Sequence, residues 1–413
     1  MPRSIRAAGF MKSTIHRIPI FHFKENGGVV MQVIHFADAH LTQRGNLAGR
    51  FVLENGINIT LLDKIKALEK ICEYVETENV DLTVIAGDLF DNANPENIAI
   101  HAAVQMIERL AEVAPVVLIR GNHDGKTSTS SALAPFGMLA RRNGIYVFEQ
   151  PEVFSIIIKD TKVQVFALPY PRWSDFTQDS QLKSMSPEEI SIYISSKMEK
   201  TISGFSAMIE RNAVNLFVGH FSVDGSNYSK EQTVPPFDIT IRWEFLEPFD
   251  LVCLGHLHTP QPLYSGSISR NGFGEQDQKV GFKVYDIEPG GKPTEQFIEL
   301  PARQYITLSV EDFLNNSSYL TPEMVVRIKG QVPKFKYDEA VRKMKALDLP
   351  FLKNAIEVES ETADGGNGGD VSEEPGIEEA VRMWGKGREG VDKFIERLVV
   401  AAKEIESKTS EAR

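Results

Sequence analysis

Five apolar runs in this chain end abruptly in Asp, His or Asn, and no other feature restricts the fold as strongly. Val33-Ile34-His35-Phe36-Ala37 runs into Asp38-Ala39-His40, and residues 82–86 run through Gly87 into Asp88. Residues 116–121 run into Asn122-His123-Asp124, 216–219 into His220, and 251–255 into His256-Leu257-His258. β-Branched apolar residues suit strands covered on both faces, and a closing glycine lets the backbone turn sharply. Open α/β sheets place ligands at the carboxyl ends of their strands, so these ends are expected along one edge of a sheet. A single strand ending in aspartate is usually a plain turn. Here five of the nine histidines sit at such ends, which chance turns do not explain. His35, inside its strand, is expected to be a packed core histidine.

The segments between the runs carry helical periodicity. Leu61, Leu62, Ile65, Leu68, Cys72 and Val75 trace one helix, and Ile98, Ala102, Met106, Ile107 and Leu110 a second. Strand and helix alternate, which predicts a parallel α/β core. From 145 to 170 the pattern shifts to short strands, expected to form an antiparallel second sheet. Ser186-Pro187-Glu188-Glu189 opens a helix with a capping box. Residues 279–287 add a strand, and Leu300-Pro301 marks a domain border, giving a main domain over 31–300. The apolar fraction of 42% is ample for a buried core. Cys72 and Cys253 are the only cysteines, so a disulfide framework and a thiolate metal site are both excluded, and a reducing cytosol fits. No run reaches the roughly 18 to 20 apolar residues of a membrane span.

Residues 1–30 form a basic leader without a secretory pattern; the chain is expected to start naturally at Met31, with a basic targeting leader as the alternative. Residues 301–358 read as a small α+β domain, with strands at 305–310 and 325–329 and a helix at 338–347. Within it Arg327, Lys329, Lys334, Lys336, Arg342, Lys343, Lys345 and Lys353 outnumber Asp338, Glu339 and Asp348, eight to three. That excess suits contact with a phosphate backbone, at Lys329, Lys334, Lys336, Arg342, Lys343 and Lys345 above all, and equally a solvated face. Residues 359–376 are an acidic, glycine-rich flexible linker. With Glu378 and Glu379 they carry eight acidic residues and no Lys or Arg, most of the net charge of -12, so overall acidity does not argue against nucleic acid. Residues 377–413 hold amphipathic helices whose stripe docks on a partner or folds back on the chain.

Imidazole, carboxylate and amide ligands without sulfur suit a borderline-hard divalent ion such as manganese, iron or zinc. Asp38, His40, Asp88, Asn122, His220, His256 and His258 are too many for one ion. They fit two ions roughly 3.5 to 4 Å apart sharing a carboxylate, Asp88, the arrangement that clamps both oxygens of a phosphoryl displacement. His123 is placed to face the scissile phosphate or leaving oxygen, and Asp124 to orient it.

These motifs, Asp38-Ala39-His40, Gly87-Asp88, Gly121-Asn122-His123-Asp124, Gly219-His220 and Gly255-His256-Leu257-His258, resemble the set of the calcineurin-like metallophosphoesterases. Leu168-Pro169-Tyr170-Pro171 and Tyr264-Ser265-Gly266-Ser267, followed by Arg270, Phe273-Gly274-Glu275 and Gly281-Phe282, resemble the branch of that family formed by nuclease subunits of SbcCD-type double-strand-break repair complexes. Thr42 replaces the usual glycine after the first motif, and Asp91 stands where some relatives carry histidine. The resemblance implies a four-layer αββα sandwich, then an α+β DNA-binding cap and a C-terminal partner-binding helix. It puts Asp38, His40, Asp88 and His258 on one manganese ion and Asp88, Asn122, His220 and His256 on the other, with Mg2+, Fe2+ or Zn2+ as substitutes. It makes His123 catalytic. The implied activity is DNA exonuclease and single-strand endonuclease action by a homodimer. The implied partner is an SbcC-like, SMC-type ATPase, and the implied place the cytoplasm, on the nucleoid and away from membranes. Two alternatives remain, a phosphatase or phosphodiesterase on a small substrate and a DNA-end scaffold with a silent metal site.

Overall fold

Three strands, β1 (Met31–Phe36), β2 (Leu82–Ile85) and β3 (Val116–Ile119), run parallel at the centre of the larger sheet. The computed structural model describes residues 30–127, 130–139, 144–172, 175–176, 182, 184–230, 238–347 and 349–359. The leader, nearly all of the acidic linker and the C-terminal helices lie outside the described residues. β4 (Ile145–Phe148) extends the sheet in parallel beyond β3. On the other side β9 (Gly281–Ile287) returns antiparallel to β1, with β10 (Thr294–Glu299) outside it. The second sheet contains β5 (Glu152–Ile158), β6 (Thr161–Leu168), β7 (Val214–His220) and β8 (Leu251–Gly255), ordered β8-β7-β6-β5.

Alternation along β1 shows how the layers form. Ile34 and Phe36 pack against α1 (Ile59–Thr77) and α2 (Asn97–Ala111), whereas Val33 and Ala37 meet Val165, Val214 and Cys253 of the second sheet. The far face of the second sheet, with Phe166, Phe217 and Val252, is covered by Ile194, Met198 and Ile202 of α4 (Pro187–Ser206), numbered after the short α3 (Ala134–Leu139). Helices, sheet, sheet and helix therefore make four layers, as the family resemblance implied. Ser186 caps α4 with the reciprocal Glu189 bond expected of its sequence. Both cysteines are buried and free, and His35 is fully buried between the sheets. Among the described residues no helix is long and apolar enough to cross a membrane.

Two expectations need correction. The five ligand-bearing strands do not share a sheet: β1, β2 and β3 belong to the larger one, β7 and β8 to the other. The antiparallel second sheet expected over 145–170 holds only in part: β5 and β6 do pair antiparallel, but β7 and β8 join β6 in parallel, so the sheet is mixed. Strand β4, grouped by sequence with β5 and β6, sits instead in the first sheet. Short strands of similar composition give no local sign of which sheet they will join.

Residues 305–358 form a module with a parallel sheet of β11 (Tyr305–Ser309), β12 (Val325–Val332) and β13 (Leu352–Val358). α5 (Val310–Asn315) and α6 (Lys334–Ala346) pack on it through Phe313, Ile328 and Ala340. Tyr305, Val325 and Phe351 meet Leu47, Ile59 and Phe273 of the main body in a second small cluster.

Candidate metal centre

The loops after β1 and β2 continue side by side beyond the sheet. The N–H of Asp38 donates to Gly87 O at 3.1 Å, that of His40 to Asp88 O at 3.0 Å and that of Leu41 to Leu89 O at 2.9 Å. This ladder presents Asp38, His40 and Asp88 together. Asp38, His40, Asp88 and His256 all have positive φ, 54°, 47°, 49° and 96°, a left-handed conformation uncommon for side-chain-bearing residues and concentrated at functional sites. The glycines before the ligands are required by close approach. A Cβ on Gly87 would stand 2.4 Å from His220 Nδ1, and one on Gly121 2.1 Å from Asp88 Oδ1.

The seven expected ligands converge. Asp88 Oδ2 lies 3.2 Å from His220 Nε2, 3.9 Å from His40 Nε2 and 4.0 Å from His123 Nε2. His40 Nε2 and His258 Nε2 face each other at 3.0 Å, and Asp38 joins them in a group able to hold an ion. His220 Nε2 and His256 Nδ1 each approach Asn122 Oδ1 at 3.0 Å. The outward nitrogens are spoken for. His220 Nδ1 donates to Ala86 O at 2.7 Å, His256 Nε2 to Asp238 Oδ1 at 2.9 Å and His258 Nδ1 to Glu275 Oε1 at 2.6 Å. A ring whose outer N–H is donated turns a lone pair inward, and inward lone pairs this close fit a shared divalent cation.

Charge follows from burial and neighbours. Burial favours the neutral form of Asp88, but His220, His123 and His40 around it hold its carboxyl well below the usual carboxylate range. Burial opposes charge on His220, yet Asp88 and Asp38 beside it raise it to about 9. Burial pushes His40 well below its ordinary value. His258 is raised, against its burial, chiefly by the bond to Glu275.

His123 stands at the mouth of the cluster, its side chain 43% exposed, with Nδ1 on the Asp91 carbonyl at 2.9 Å and its own N–H bound to Asp88 Oδ1 at 2.8 Å. Asp124 does not orient it. Its buried carboxylate accepts from the N–H of Phe90 and of Gly121, both at 2.9 Å, so it fixes the turn that carries Asn122. Asp91 brings Oδ1 to 3.6 Å from His40 Nδ1. Lys64 was not singled out by its sequence; buried, it donates to the His40 carbonyl at 2.6 Å. Asp238 was missed as well, and Glu275 carried no chemical role, because a carboxylate in an irregular loop has no pattern that marks its histidine.

The cluster opens into a cavity of about 840 Å³, walled opposite by Arg44, Asn46, Arg270 and Tyr305. None of the expected phosphate-binding lysines lines it. Lys329, Lys334, Arg342 and Lys345 are exposed on the small module and Lys336 partly so, whereas Lys343 donates to the Leu314 carbonyl at 2.6 Å, closing the end of α5. Lys334 pairs with Asp338 at 3.0 Å.

Two stacked sheets with an Asp, His and Asn cluster at their strand ends define a class of phosphoesterase. The family model for calcineurin-like phosphoesterases matches residues 31–260, and the chain belongs to that family. It is 31% identical over 290 residues to the SbcD component of the nuclease SbcCD of Staphylococcus epidermidis, spanning 66% of this chain and 71% of that protein. To the protein of the same name from Staphylococcus saprophyticus it is 29% identical over 287 residues, 66% of this chain and 70% of that one. Haemophilus influenzae NAD nucleotidase superposes with a TM-score of 0.37 at 12% identity over 80% of this chain and 64% of the other, too loosely to bear on function.

Proposed function

We propose that the chain is the nuclease subunit of an SbcCD-like complex, hydrolysing DNA phosphodiesters with two manganese ions. The observation that carries this reading is the convergence of Asp38, His40, Asp88, Asn122, His220, His256 and His258 into one cluster with His123 beside it, in a relative of nucleases bearing the SbcCD name. Asp38, His40, Asp88 and His258 would hold one ion, and Asp88, Asn122, His220 and His256 the other. Bound there, such ions supply Lewis acidity and lower the pKa of water from about 15.7 towards about 7. The protein's part is positional and acid-base. Water attacks phosphorus and releases a proton to solvent, the bond to the leaving oxygen breaks, and a protonated His123 gives that oxygen its Nε2 proton while Nδ1 stays fixed on the Asp91 carbonyl. The proton lost to solvent balances the one that later restores His123. Exposed lysines of the small module, with Arg44 and Arg270 at the cavity wall, offer cations to the backbone of a long substrate. The partner is an SMC-type ATPase, and the working form a homodimer.

End-labelled linear DNA incubated with the chain and manganese, magnesium or chelator tests this. Manganese-dependent shortening, lost in His123→Ala while bound metal is kept, is the expected result. Hydrolysis of p-nitrophenyl phosphate esters without DNA cleavage would replace the nuclease reading with a small-substrate phosphoesterase, and inactivity of the manganese-loaded chain would favour the scaffold.

A further inference from the structure

The one-turn helix Phe273–Glu275 lies between the metal centre and the small module, and its two ends face opposite ways. Glu275 is buried; Oε1 accepts from His258 Nδ1 at 2.6 Å and Oε2 from the N–H of Asn271 at 2.8 Å. One oxygen thus orients an imidazole while the other is tied to the loop. Phe273 packs edge-on against Tyr305, with ring centroids 5.3 Å apart, and its face lies 4.4 Å from the Arg327 guanidinium. Tyr305 and Arg327 belong to β11 and β12. Arg270 staples this loop, donating to Gln278 O at 2.9 Å and to Arg303 O at 3.1 Å. Arg303 in turn grips Asp63 of α1 at 2.7 and 2.9 Å and the Glu323 carbonyl at 2.8 Å.

We propose that Glu275 is a positioning residue for His258 and that Phe273 couples its position to the seating of the small module, so that one of the two ions is held tightly only when the module is docked. The inference rests on the two-ion reading above. A carboxylate on Nδ1–H fixes the tautomer, aims the ring and raises its basicity, so its loss typically weakens metal binding roughly 10- to 100-fold. Phe273 and Glu275 share a single tight turn, too short to absorb a shift at one end without moving the other. His220 and His256 lean instead on Ala86 and Asp238, outside this loop. The coupling therefore acts on the ion of Asp38, His40 and His258 and spares the other.

Manganese titrated calorimetrically into the purified full-length chain, with the fold followed by circular dichroism, tests both parts. Wild type takes up two ions. Glu275→Ala weakens one of them by roughly 10- to 100-fold and leaves the other, while Glu275→Gln, which keeps an acceptor oxygen, recovers most of that loss. Phe273→Ala, or Phe273→Leu where alanine unfolds the module, weakens the same ion by a smaller factor and adds nothing in the Glu275→Ala background. The proposal is overturned if Glu275→Ala binds both ions as wild type does or weakens both alike. It is equally overturned if neither Phe273 variant changes an affinity. Uptake of fewer than two ions by wild type would instead sink the two-ion reading itself.

Discussion

Three imidazoles, those of His220, His40 and His123, surround the Asp88 carboxylate within 4.0 Å. Asp88→Ala is expected to weaken both ions by more than about 100-fold and to abolish hydrolysis, as measured by metal analysis after dialysis. Retained manganese would contradict its bridging place. His220 supplies a pH dependence with a definite sign. Without metal its proton is held up to about 9, above the ordinary 6.5, so protonation stabilises the metal-free fold fully below pH 6.5 and that contribution is lost as pH rises through 9. A ligand must shed its proton, so manganese affinity should rise over the same window and uptake at pH 7 should release protons. Calorimetry in buffers of different ionisation enthalpy counts them; an affinity flat from pH 6.5 to 9 would refute the assignment.

Among the elements, the turn after β2 is the least tolerant. Gly87 has φ +91°, and an added methyl would meet the very His220 nitrogen that donates to Ala86. Gly87→Ala should cost roughly 1 to 3 kcal/mol in urea unfolding and impair metal uptake together; stability lost without any change in metal binding would show that the turn does not set the ligand. The cluster was legible in the sequence because its members follow their strands within a few residues, through a glycine in four of the five runs, so Asp38, His40, Asp88, Asn122, His220, His256 and His258 could all be named as candidate ligands from local pattern. Sheet membership was not legible, since β4 and β5 differ by long-range pairing and not by composition. Nor was the work of Asp124, Asp238 and Glu275, whose partners are distant in sequence. The helix expected over 338–347 begins at Lys334, where Pro333 occupies its cap, and the basic residues of that segment divide between exposed positions and one structural bond.

At the scale of the whole molecule, nuclease chemistry and partner binding are expected to separate. Deleting residues 377–413 should leave manganese-dependent cleavage intact and abolish co-purification with an SMC-type ATPase; undiminished co-purification would remove that role from the tail. The distribution of ligands over two sheets bears on the order of assembly. Asp38 and His258 stand 220 positions apart, just beyond the ends of strands in different layers, and meet only once those layers have stacked. Contacts of such long sequence separation are among the last to form during folding. Manganese should therefore leave the refolding rate nearly unchanged and slow unfolding, a division that stopped-flow kinetics with and without chelator would register. The ions would act as a latch closed after assembly, lengthening the life of the finished protein without guiding its construction.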